Sequence, residues 1–74
     1  MANCKVYGNK PDSGPGQLAA AAARDDVNNK NPTWLVIIAS WTSDQTIYTS
    51  GVANDDQLET AFQAQFPGYN VVGY

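Results

Sequence analysis

The stretch "TWLVIIASWT", residues 33–42, is the most apolar segment of the chain, and its reading decides the fold. As a strand over 34–42 it places Leu35, Ile37, Ala39 and Trp41 on one side, and Trp34, Val36 and Ile38 on the other, because side chains alternate along a strand. A strand that is apolar on both faces needs cover on both. The rest of the sequence must supply that cover, or a partner must.

Downstream, "QTIYTSGV" (45–52) is rich in β-branched and aromatic residues, with Ile47 and Tyr48 on opposite faces. The short polar connection "TSDQ" joins it to the first strand, so 34–52 reads as a hairpin. "NDDQLETAFQAQF" (54–66) carries a helix start: Asn54 as cap, Asp55 and Asp56 in the first turn, and Gln57 at the capping-box position. Leu58, Ala61, Phe62 and Phe66 mark its apolar face, and "PG" (67–68) ends it before a closing strand "YNVVGY" (69–74).

Upstream, "CKVYG" (4–8) reads as a first strand, and "NKPDSGPGQ" (9–17) has the prolines and glycines of a loop. "QLAAAAARDDVNN" (17–29) has helix composition, with Leu18, Ala21 and Ala22 as a thin apolar stripe. Pro32 discourages helix in the residue before it. The order is β-α-β-β-α-β within a single small domain, 1–74, with no repeat and no dividing linker. It is the order of a two-layer α+β sandwich of ferredoxin-like architecture, with two helices on one face of a four-stranded antiparallel sheet. Such an architecture hosts many unrelated functions and fixes no chemistry.

Composition narrows the function classes. Charged residues make up only 15% of the chain, against roughly a quarter in average domains. Seven acids stand against Lys5, Lys10, Arg24 and Lys30, for a net charge of −3. Without a basic run, ordinary nucleic-acid binding is disfavoured, including base stacking on Trp34, Tyr48 and Tyr7. There is no histidine, so neither a Ser-His-Asp nor a Cys-His arrangement forms within the chain. Cys4 is the single cysteine, which excludes an intrachain disulfide and a cysteine zinc site; in a strand it reads as a buried, inert thiol. The aspartate doublets have no calcium-loop spacing. No enzyme, metal or cofactor is expected. With no apolar run of signal-peptide or membrane-spanning length, the chain reads as soluble, free of membrane and cytoplasmic, a reading compatible with incorporation into a virion.

Two surfaces remain. The loop 8–18 offers Lys10, Ser13, Gly14 and Gly16 ahead of a helix start, a possible anion cradle. It lacks the Gly-Lys-Ser/Thr ending of a phosphate loop, and Pro11 and Pro15 remove two amide donors. The stronger expectation concerns the sheet. With Leu35, Ile37, Ala39 and Trp41 assigned under Leu58, Phe62 and Phe66, the uncovered face carries Trp34, Val36, Ile38 and Tyr48 as an interface. Periodicity alone leaves the reverse assignment open. A weakly charged edge at "YNVVGY" adds a second route to pairing. The functional expectation is a non-enzymatic protein–protein interaction module. It associates with itself as a homo-oligomer or with another protein, as a viral or phage accessory or assembly protein would. The alternatives are a small acidic inhibitor of a larger target, or an anion- or small-ligand-binding domain using the loop.

Overall fold

The computed structural model describes residues 1–74 as β1 (Ala2–Tyr7), α1 (Gly14–Lys30), β2 (Ile37–Trp41), β3 (Gln45–Ser50), α2 (Asp55–Gln65) and β4 (Asn70–Gly73). The four strands form one antiparallel sheet in the order β2-β3-β1-β4, and both helices lie on one face of it. No helix is long and apolar enough to cross a membrane.

The core sits between the sheet and the helices. Alternate residues of the central strands point into it: Ala2, Cys4 and Val6 from β1, and Thr46, Tyr48 and Ser50 from β3. Leu58, Phe62 and Phe66 close over them, as their spacing requires, joined by Ala23 and Val27 of α1. Tyr48 and Phe62 stack with ring centroids 3.9 Å apart, and the buried Tyr48 hydroxyl donates to the Ala20 carbonyl at 2.9 Å. That bond ties β3 to α1 and satisfies a polar group that would be costly to bury alone.

The helices start where capping chemistry allows. Asn54 and Gln57 form a reciprocal capping box at α2, closing at 2.8 and 2.9 Å. α1 starts at Gly14, three residues before the reading of composition placed it, because the Ser13 hydroxyl accepts from the Gly16 amide and Pro15 falls in the first turn. Its buried stripe is Ala20, Ala23 and Val27, and Leu18 is exposed. Small side chains let α1 approach the sheet closely enough for the Tyr48 bond; a leucine on that stripe would hold it away.

Asp26 and Gln65 hydrogen-bond across the two helices, and the Lys30 ammonium lies 2.9 Å from the same carboxylate. These two donors hold the Asp26 carboxyl below its usual range. A depressed pKa stabilises the fold above the ordinary carboxylate range, and the contribution fades on acidification through the folded value. The acidic doublet at 25–26 therefore has a structural role in its second member.

The opening stretch departs from a plain strand twice. Trp34–Val36 lies outside β2, and the Asn28 side chain takes both backbone groups of Val36, at 2.7 and 2.9 Å. Then a register shift between Ile38 and Ser40 makes Ala39 a bulge. Ile38 faces Tyr48, and beyond the bulge Trp41 faces Thr46, so both lie on the helix side. Ile37 and Ser40, paired with Thr49 and Ile47, lie on the other.

Candidate interaction surface

Before the bulge the structure therefore reverses the assignment made from alternation, while beyond it Trp41 lies on the helix side, where that assignment placed it. Val36 and Tyr48 are 2% and 0% exposed, Ile38 and Trp34 pack against the same core, and these four residues do not form an open face. The bulge and the Asn28 clamp decide this, and neither leaves a trace in hydrophobic periodicity.

Register defines the open face as a grid of three rows. Ile37, Thr49, Asn3 and Tyr74 form the first; Ser40, Ile47, Lys5 and Val72 the second; Gln45, Tyr7 and Asn70 the third. The face mixes apolar, aromatic and uncharged polar side chains around one charge, Lys5. It is more polar than a face of Trp, Val, Ile and Tyr would be.

The two edges of the sheet differ. On β4, the hydrogen-bonded pair Asn3–Tyr74 sets the alternation, so Val71 and Gly73 direct their backbone groups outward. The Gly73 amide donates to Glu59 Oε1 at 2.9 Å, and the preceding Tyr69 amide is taken by the Phe66 carbonyl. The edge at "YNVVGY" is thus blunted by α2 and its following turn.

β2 has no such cover. It ends the strand order, and no side chain bonds its backbone between Ile37 and Trp41. No charged residue occurs from Asn31 to Ser43. Leu35, Ile37 and Trp41 are 73%, 56% and 53% exposed. Leu35 also has φ +50°, a left-handed conformation that costs an ordinary L-residue about 1–2 kcal/mol. A strained backbone that presents a leucine to solvent beside an open edge is a local choice that folding alone does not favour. Alternation along the strand places Leu35 under the helices, whereas the structure leaves it exposed on a left-handed backbone.

The loop 8–18 is organised around its own bonds. The Ser13 hydroxyl donates to the Lys10 carbonyl and accepts from Gly16, so neither it nor the Gly16 amide is free. Pro15 has no amide. Asn9 is buried and donates to Thr46 Oγ1 at 2.7 Å, leaving its Oδ1 as an unpaired acceptor. An acceptor opposes an anion. Of the four residues, Gly14 and Lys10 alone keep donors for one, and Gly16 has its role in packing.

Cys4 is fully buried, and burial, reinforced by the charge of Glu59, pushes its thiol up to about 12. At neutral pH this thiol carries essentially no thiolate, the form that reacts. Comparison with protein-family models, curated proteins and solved structures finds no match for this chain.

Proposed function

We propose that this chain is a non-enzymatic protein–protein interaction domain that associates with itself through the exposed edge of β2. The observation that carries the reading is Leu35, a strained and solvent-exposed leucine two residues before an uncharged strand whose outer edge is unpaired. The element and strand order fit the ferredoxin-like arrangement, in which β2 and β4 are the free edges.

The occupant is a second copy. Two β2 strands running antiparallel across a two-fold axis continue the sheet, and each contributes the same residues to the other. Nothing between Asn31 and Ser43 repels an identical strand, and Leu35, Ile37 and Trp41 lose exposed apolar surface on pairing. β4 competes poorly, because Glu59 takes the outward amide of Gly73 and the Phe66 carbonyl takes that of Tyr69.

Light scattering coupled to size-exclusion chromatography tests the reading. Wild type is expected at twice the mass of one chain, and Leu35→Asn and Ile37→Lys at the monomer mass. Asparagine tolerates left-handed backbone better than leucine. Leu35→Asn should therefore raise the melting temperature of dilute protein by about 4 °C, equivalent to a gain of about 0.5–1 kcal/mol in a domain of this size. A variant that is more stable yet dissociated separates loss of contact from loss of fold. A wild-type monomer at every concentration overturns the proposal.

A further inference from the structure

The open sheet face carries a second feature, distinct from the β2 edge. None of the seven acidic residues lies on a strand: Asp12, Asp25, Asp26, Asp55, Asp56 and Glu59 belong to α1, α2 or the loop before α1, and Asp44 to the hairpin turn. Lys5 is the sole charged side chain in the grid and makes no ion pair within the chain. Its ammonium lies 5.6 Å from the Tyr7 ring centroid and 5.4 Å from that of Tyr74, and Lys5, Tyr7, Val72 and Tyr74 line a shallow cleft of about 190 Å³. Neither tyrosine hydroxyl has a hydrogen-bond partner in the chain.

From this arrangement we propose that the cleft is a docking site for an acidic segment of a second protein, seating one aspartate or glutamate carboxylate against Lys5. Charge complementarity chooses the occupant. The rings on either side of the ammonium limit its freedom, and an arriving carboxylate meets a preplaced charge with phenolic donors nearby. Around it, uncharged Asn, Gln, Ser and Thr with aliphatic and tyrosine side chains form the charge-depleted, aromatic-bearing composition of protein-binding surfaces. A second copy fits this face poorly. Stacking two sheets about a two-fold axis through the grid centre brings one Lys5 towards the other with no acid between them, and like charges across a contact oppose it. A nucleic-acid strand is disfavoured for want of further cations.

The test uses Leu35→Asn protein, so that its result does not depend on self-association. Two capped hexapeptides, Val-Thr-Val-Glu-Val-Thr and the same sequence with Gln for Glu, are titrated while the Lys5 side-chain and Tyr7 and Tyr74 ring resonances are followed by NMR. The Glu peptide is expected to shift all three, with about tenfold tighter binding than the Gln peptide, a margin that falls with added salt. Lys5→Met should remove the difference. Equal binding by both peptides, or no shift at this cluster at the solubility limit, overturns the inference. A stronger response to an oligothymidine strand overturns it in favour of base stacking. If wild type is monomeric but the Glu peptide binds selectively, only the edge-pairing reading falls.

Discussion

Phe62→Ala should remove a large fraction of the protein's folding stability. Phe62 is fully buried, stacks on Tyr48 and closes the centre of the only core the chain has. Truncating a buried phenylalanine typically costs about 3–5 kcal/mol, through lost transfer energy and the cavity left behind. At about 0.05–0.15 kcal/mol per residue, a domain of this length holds roughly 4–11 kcal/mol in total. The substitution therefore removes a large fraction of that stability, and the melting temperature should fall by at least about 12 °C. Phe62→Leu keeps most of the apolar volume and loses the ring stack, so its drop should be less than half as large. Chemical denaturation monitored by tryptophan fluorescence measures both. A loss below about 1 kcal/mol for Phe62→Ala would show that the core is not centred on this pair.

Gly16→Ala should destabilise the protein, although alanine is intrinsically the better helix former by up to about 1 kcal/mol. A β-carbon at Gly16 would fall 1.9 Å from the Lys10 carbonyl oxygen and 2.6 Å from that of Asn9. Both are backbone atoms of the segment tied down by the Asn9–Thr46 bond and the Ser13 cap. Either the loop withdraws or α1 tilts off the sheet, and overpacking of this kind costs about 1–3 kcal/mol, occasionally more. Gly14→Ala is the matched control, because nothing lies within 4 Å of its β-carbon position. It should be neutral or mildly stabilising, so the two glycine substitutions should differ in sign. Equal melting temperatures would contradict the close approach of α1 to the loop.

These two expectations rest on features of unequal visibility in the sequence. Phe62 was legible: its spacing from Leu58 and Phe66, behind the Asn54 cap, marks one face of a helix, and that face is buried. The hairpin and the element order were legible for similar reasons, since β-branched runs flank a short polar turn. Gly16 was not. Its glycine looked like loop composition, whereas its cause is a tertiary approach to carbonyls six and seven residues earlier.

The uncovered face was the least legible part. Alternation along 34–42 gave two self-consistent sets, and the choice between them was made by a clamp from Asn28 and a bulge at Ala39. A one-residue shift exchanges the two faces of a strand, so every residue beyond such a shift changes sides. That is why Trp41 joined the helix side although it shares parity with the exposed Ile37. Blunting of the β4 edge was equally hidden, because it needs Glu59 to reach Gly73 across 14 residues of sequence.

β2, and not β4, is the edge proposed to pair with another copy. Amide hydrogen exchange followed residue by residue over a dilution series reads this at the strand itself. Outward-facing amides between Ile37 and Trp41 should be protected in concentrated protein and exchange faster on dilution, while Val71 exchanges at a constant rate. Exchange in β2 that does not depend on concentration, or protection that gathers at Val71 instead, would contradict it.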